Sequence, residues 1–107
     1  MKTLKFKDNL VPLVLSGVKD STWRLFDEKD LQKDDELIFI NKDTGDEFGK
    51  ALIISTREKR LMDLIDSDFE GHEKFESEQK MYEAYRKYYG DIVTPNTIVK
   101  IIKFKLL

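Results

Sequence analysis

A short segment near the start of the chain, SGVKDSTWR, brings together residue types that can do chemistry. A threonine hydroxyl attacks a carbonyl carbon when a base takes its proton, and a neutral lysine amine is such a base. An ordinary lysine, with a pKa of about 10.4, is protonated at neutral pH. Lys19 can therefore activate Thr22 only if burial, or a neighbouring positive charge such as that of Arg24, lowers its pKa.

The elements around this segment must position its side chains. The apolar run over residues 10–15 predicts a short helix, which Gly17 would end in a left-handed conformation. The alternation in STWRLF predicts a strand with Thr22 and Arg24 on one face and Trp23 in the core on the other. A sharp turn at Gly17 would bring the lysine back over the threonine.

The rest of the chain predicts strands and helices in the order β, α, β, β, β, α, α, β. Strands over ELIFINK and EFGKALIIST are joined by the turn signal DTGD, REKRLMDLID predicts a short helix, and a longer helix from Ser77 ends at Gly90. The chain has 107 residues and no internal repeat, so we expect a single domain over residues 1–107. The predicted strands follow one another directly more often than a helix connects them. This favours an α+β fold, a small mixed or antiparallel β-barrel flanked by helices.

Composition excludes several kinds of site. The chain has no cysteine, so it has no disulfide, no thiolate nucleophile and no cysteine-ligated zinc. The one histidine, His72, lies in an acidic loop, and we interpret it as solvated rather than as a metal ligand. We therefore expect neither a metal nor a cofactor. No segment has the length and apolarity of a membrane span, so we expect a cytoplasmic protein without a membrane partner.

The charges are unevenly distributed. Residues 1–24 hold five basic and two acidic groups, and residues 80–107 hold six and two, whereas the middle of the chain is acidic. If the two terminal segments are neighbours in the fold, their lysines form one face that attracts phosphate; otherwise they are ordinary solvated charges. The lysines concerned are Lys5, Lys7, Lys103 and Lys105.

The segment GVKDSTWR resembles the Gly-x-Lys-x-x-Glu/Thr-x-Arg signature of ASCH domains, with Gly17, Lys19, Thr22 and Arg24 at the four defined positions. The preceding helix and the strands DELIFIN, GKALII and VKIIKFKL are also similar to that family, so the resemblance covers nearly the whole chain. It implies a PUA-like β-barrel and an association with RNA.

The threonine, where many ASCH domains have glutamate, is similar to the bacterial ASCH amidohydrolases that deacylate N4-acetylcytidine. This resemblance implies that Lys19 is the proton acceptor and Thr22 the nucleophile, with a nucleoside as substrate. The proton donor is a glutamate, which falls by position on Glu73, with Glu70 as the alternative. Glu73 lies nearer the tyrosine-bearing helix, whose packing against the barrel would raise the pKa of its carboxyl by desolvation. Arg24, together with Gly17, would bind the substrate; the oxyanion would be held by the arginine or by a backbone amide.

Two other functions stay open on the sequence. One is a non-catalytic RNA-binding module that uses the same basic cleft, and the other is a ribonuclease in which Lys19 and Arg24 act on phosphate. Most tyrosines of the long helix should be core, with one phenol reaching the cleft. The sequence does not distinguish a free nucleoside from RNA as substrate, and it leaves the oligomeric state open.

Overall fold

A curled five-stranded mixed sheet forms a half-barrel, with two α-helices beside it. The computed structural model describes residues 1–107. The elements are β1 (Lys2–Phe6), α1 (Val11–Leu15), β2 (Ser21–Leu25), β3 (Glu36–Asn41), β4 (Glu47–Arg60), α2 (Glu78–Tyr89) and β5 (Ile98–Leu106). The strand order is β1-β3-β4-β5-β2, with β1 parallel to β3 and every other pair antiparallel. The predicted α+β class with a mixed barrel-like sheet is confirmed.

The two edge strands leave the half-barrel open on one side. β1 and β2 lie at opposite ends of the strand order and do not pair with each other. Arg24 on β2 spans this opening, because its Nη2 donates to the carbonyl oxygen of Lys5 on β1 at 3.3 Å. Side chains at this opening can therefore face a ligand without breaking the sheet.

The sheet buries a separate apolar cluster on each face. Ile102 and Phe104 of β5 belong to one cluster, whereas Val99 and Ile101 belong to the other. Thr22 pairs with Ile102 and therefore shares its face, and Trp23 pairs with Ile101 on the opposite face. Trp23 is buried, as the alternation in the sequence predicts.

Helix α2 covers the second cluster. The Oγ of Ser77 accepts the amide of Lys80 at 3.2 Å, and Gly90 follows the last turn with φ of 90°. The predicted ends of this helix are confirmed. Its buried residues are Met81 and Tyr85, and the Tyr85 ring stacks near that of Trp23 with centroids 6.3 Å apart. None of the helices is long and apolar enough to span a membrane.

The helix predicted over REKRLMDLID is wrong. Residues 57–60 are the end of β4, and Leu61–Asp63 forms a single 3-10 turn in place of an α-helix. Arg57 pairs with Ile101 and Arg60 with Ile98 of β5, so ladder hydrogen bonds outweigh the local helix propensity of these charged residues.

A long irregular segment, residues 61–77, is held against the sheet at two points. The buried carboxylate of Asp68 accepts from Arg57 Nη1 at 2.8 Å, from Lys59 Nζ at 2.7 Å and from the Ile65 amide at 2.9 Å. Burial by itself raises the pKa of Asp68, but these donors lower it to about 2. Farther along, the carbonyl of Gly71 accepts the amides of both Asp20 and Ser21 at 3.1 Å, just where β2 begins.

We expect Asp68→Asn to lower the free energy of unfolding by about 2 kcal/mol, because it removes the charge from a buried acceptor of two cationic donors. Urea unfolding at pH 7 measures this loss. Asp66 is an exposed carboxylate in the 3-10 turn Asp66–Phe69, which also contains Asp68. Asp66→Asn is therefore the matched control and should cost less than about 0.5 kcal/mol. Equal losses in both variants would contradict the role given to Asp68.

Candidate active site

A cavity of about 1080 Å³ lies at the open side of the half-barrel, between β1, β2 and α2. Four of the predicted site residues line it together: Lys19, Thr22, Arg24 and Glu73. Gly17 does not line it. Gly17 has a φ of 84°, in the left-handed region expected for it, and it turns the chain so that the Lys19 amide donates to the Leu13 carbonyl at 3.0 Å.

The amine of Lys19 is buried and donates two hydrogen bonds. Its side chain is only 4% exposed, and Nζ donates to Oε2 of Glu73 at 2.6 Å and to the carbonyl oxygen of Ser21 at 2.7 Å. Burial lowers the pKa of Lys19, and Arg24 lowers it further, whereas Glu73 acts in the opposite direction. The net shift is downward, which is the direction a lysine base requires.

Thr22 lies on the same short stretch of β2, one residue beyond the carbonyl that holds Lys19. Its side chain is almost fully buried and forms no hydrogen bond with another residue, so the hydroxyl is free to bind or attack a ligand. Lys19 and Thr22 are not hydrogen-bonded to each other: the two hydrogen bonds of the amine go to Glu73 and to the Ser21 carbonyl.

Of the two candidate glutamates, only Glu73 lies in the cavity. Glu70 is exposed and its side chain binds no other residue. Desolvation alone predicts a raised pKa for Glu73. Burial does raise it, but His72 and Lys19 lower it more, so the pKa of Glu73 lies below its usual range and the carboxylate is ionised at neutral pH. That expectation was wrong because it omitted the 2.6 Å contact with a cation.

His72 is not the solvated loop residue that the acidic sequence around it suggested. Its side chain is 6% exposed, and its ring stacks on Trp23 with centroids 4.1 Å apart. Burial and the nearby Lys19 lower the pKa of His72 to about 4, so the ring is neutral at pH 7. Nδ1 lies 2.8 Å from the carbonyl oxygen of Glu73, which can only accept, so the proton is on Nδ1 and Nε2 is an acceptor. Sequence reasoning missed this residue, although its position beside Glu73 was a usable signal.

Three tyrosines of α2 line the cavity, rather than the single phenol expected. Tyr85 is buried at its floor, and burial raises the pKa of its phenol. Tyr89 is half-buried, and Tyr88 is 51% exposed at the rim. No group of three or more histidine or carboxylate side chains converges on a point where a metal would bind.

The cavity is strongly basic. Its lining includes two carboxylates, each of which is paired: Glu73 with Lys19, and Glu83 with Lys80 at 3.6 Å. Five further cations line it without a carboxylate partner within 4 Å: Lys5, Lys7, Arg24, Lys42 and Lys87. The buried Nε of Arg24 also has no acceptor in the protein. These groups leave an excess of positive charge that an anionic ligand would neutralise.

The basic face expected from the two terminal segments forms in part. The first segment contains β2, which pairs with β5 in the last segment. Cations of both segments line the cavity: Lys5, Lys7, Lys19, Arg24, Lys80 and Lys87. Lys103 and Lys105, expected on the same face, are exposed on β5 and do not line the cavity. Charge alone does not indicate which lysines of β5 face the cavity, because that depends on the pairing of strands distant in sequence.

We expect the free energy of unfolding to fall by about 2 kcal/mol between pH 7 and pH 5. The pKa of His72 is about 4 in the folded chain and about 6.5 in the unfolded chain. The unfolded state therefore binds more protons in that interval, and stability falls as the pH falls. Urea unfolding at the two pH values tests this. His72→Phe keeps a ring on Trp23 but cannot titrate, so it should abolish most of the difference in unfolding free energy between the two pH values. If the variant shows the same difference as the native protein, a group other than His72 causes it.

Comparison with protein-family models and with curated proteins found no match. Solved structures do match. The protein EF3133 from Enterococcus faecalis, described as DUF984, has a TM-score of 0.77 and 14% identity, covering 92% of this chain and 70% of that one. The hypothetical protein PH0355 has a TM-score of 0.73 and 20% identity over 100% of both chains.

Two further matches are ASCH domains by name. The ASCH domain from Lactobacillus crispatus has a TM-score of 0.74 and 14% identity, covering 98% of this chain and 79% of that one. The ASCH protein from Zymomonas mobilis has a TM-score of 0.68 and 10% identity, covering 96% and 65%. At such identities the likeness concerns the fold. The chain has an ASCH-type fold.

Proposed function

We propose that this protein is an amidohydrolase that deacylates N4-acylated cytosine nucleosides, converting N4-acetylcytidine and water into cytidine and acetate. One observation carries the proposal. A buried lysine amine with a lowered pKa lies between a carboxylate and the start of the strand that bears an unbound threonine hydroxyl, and all of them line one cavity. These are the base, acid and nucleophile that amide cleavage requires.

Acyl transfer begins with the Lys19–Glu73 pair. Because the two groups are 2.6 Å apart and the amine is buried, a proton can pass from the ammonium to the carboxylate and leave both groups neutral. The neutral amine then takes the proton of Thr22 while Oγ forms a bond to the acyl carbon. The third N–H position of Lys19, which no protein group occupies, is where the threonine proton would be received.

Collapse of the tetrahedral intermediate needs a proton on the leaving nitrogen. Neutral Glu73 supplies it to N4 of cytosine as the carbon–nitrogen bond breaks, so the pair returns to ammonium and carboxylate. The acyl group is then an ester on Thr22. A water molecule attacks this ester, its proton passes to the same pair, and Oγ is reprotonated as the carboxylic acid leaves.

Arg24 is the substrate-binding cation of this proposal. Its guanidinium is fixed by the Lys5 carbonyl and retains donors without acceptors at the cavity, which suits an oxyanion or a base carbonyl. Its charge also favours the neutral form of Lys19. His72 acts as a positioning residue, because its ring rests on Trp23 and its Nδ1–H holds the backbone carbonyl of Glu73.

A second candidate function, a non-catalytic RNA-binding module, is favoured by a different observation. The five unpaired cations of the cavity lining would bind phosphate whether or not any bond is cleaved. In that case Lys19 would serve only as a charge, and no turnover would be measured with any acylated cytidine.

We expect purified protein to hydrolyse N4-acetylcytidine, measured by the change in cytosine absorbance, and to do so in excess metal chelator. Thr22→Val removes the hydroxyl at nearly constant volume and should abolish turnover, whereas Thr22→Ser keeps a hydroxyl and should retain it. Lys19→Arg should be inactive, since arginine does not give up its proton. Full activity of Thr22→Val would contradict the nucleophile, and activity of Lys19→Arg would contradict the base.

The proton donor is tested by a matched pair of glutamates. Glu73→Gln keeps the shape of the side chain but cannot donate the proton, and we expect the rate to fall by a factor on the order of 10²–10⁴. Glu70→Gln, three residues earlier and exposed, should change the rate little. If Glu70→Gln is the inactive variant, the donor has been assigned to the wrong residue. Circular dichroism of both variants separates loss of the fold from loss of the donor.

A further inference from the structure

Two lysines lie side by side at the rim of the cavity. Lys7 follows β1 and Lys42 follows β3, and these strands are parallel neighbours whose last paired residues are Phe6 and Asn41. The pairing continues one step, because the Lys42 amide donates to the Phe6 carbonyl at 2.7 Å. Parallel strands that end together project their next residues from the same edge of the sheet.

Both ammonium groups converge on one aromatic ring. Lys7 Nζ lies 4.7 Å and Lys42 Nζ 5.2 Å from the centroid of Tyr88, which α2 presents at the rim. A tyrosine ring attracts cations, so Tyr88 keeps both ammonium groups close to it, and both lysines are exposed to water. Two like charges on adjacent strands repel, so the arrangement is unfavourable until an anion neutralises it.

The carboxylates next to the two lysines in the sequence bind other groups. Asp8 and Asp43 follow the two lysines in the sequence, but Asp8 Oδ1 accepts Asn41 Nδ2 at 2.9 Å and Asp43 Oδ2 accepts the Asp8 amide at 2.8 Å. Neither carboxylate comes within 4 Å of Lys7 or Lys42. The lysine pair is therefore open to an external anion.

The reactive end of the cavity lies next to this pair. The ring of Phe6 is 6.0 Å from Nζ of Lys19, and Lys7 is the residue after Phe6. Lys7, Lys42 and Tyr88 line the same cavity as Lys19, Thr22 and Glu73. Its volume of about 1080 Å³ is at the upper limit of small-molecule pockets, so it has room for more than a base and a sugar.

We propose that Lys7, Lys42 and Tyr88 form a phosphate subsite, so that the site binds a cytosine nucleotide more tightly than the uncharged nucleoside. The identity of the base rests on the proposed function, whereas the phosphate subsite does not. The phosphate could belong to a free mononucleotide or to the backbone of RNA, and the two sources offer the same chemistry to the lysines.

Calorimetric titration of the full chain with cytidine, cytidine 5′-monophosphate and a cytidine trinucleotide tests the subsite. We expect the monophosphate to bind roughly tenfold more tightly than cytidine, with a preference that weakens as salt is added. The double variant Lys7→Ala/Lys42→Ala should lose this preference. The matched control Lys103→Ala/Lys105→Ala removes the same charge outside the cavity and should keep it.

The possible results separate this proposal from the proposed reaction. Equal affinity of the native protein for cytidine and its monophosphate, or equal loss of the preference in both double variants, overturns the subsite even if N4-acetylcytidine is hydrolysed. A preference that depends on Lys7 and Lys42 supports the subsite even if no acylated cytidine is hydrolysed. Tighter binding of the trinucleotide, with the same dependence, identifies RNA as the source of the phosphate; tighter binding of the monophosphate identifies the free nucleotide.

Discussion

The burial of one ammonium group, that of Lys19, is the constraint on which the rest of the site depends. An isolated charge in a protein interior is costly, and it persists there because Glu73 and the Ser21 carbonyl bind it. Each of these partners belongs to a different part of the chain, so β2 and the segment of residues 61–77 must meet at this amine. Burial destabilises the charged form of Lys19 and so lowers its pKa. The amine therefore gives up its proton more readily, as a base requires.

The segment that carries Glu73 is therefore as much a part of the site as the sheet is. It has little regular structure of its own and is fixed by polar contacts at Asp68 and Gly71. Its apolar side chains Leu61, Phe69 and Phe75 also pack into the second cluster. The sheet supplies rigid positions for Thr22 and Arg24, and the irregular segment supplies Glu73. Because the site is divided in this way, substitutions in residues 61–77 can change its polar groups without altering the sheet.

Local sequence patterns predicted most of the fold and part of the site. The strands, the capped helix α2 and the common face of Thr22 and Arg24 follow from alternation and capping, which act over a few residues. The end of β4 and the buried state of His72 depend on partners far along the chain, and local propensity indicated a helix and a solvated loop instead. Lys42 carries no local signal of a role, because nothing in the sequence near it indicates that β3 runs parallel to β1.

The stacking of His72 on Trp23 makes the fluorescence of this tryptophan sensitive to changes in the cavity. Trp23 is the only tryptophan in the chain, and its indole is buried against the imidazole, with both rings lining the cavity. Intrinsic tryptophan fluorescence therefore comes from a single indole at the site. Its emission responds to the polarity and charge beside it, so binding of a ligand or protonation of the imidazole can be followed in the native chain without attaching a dye.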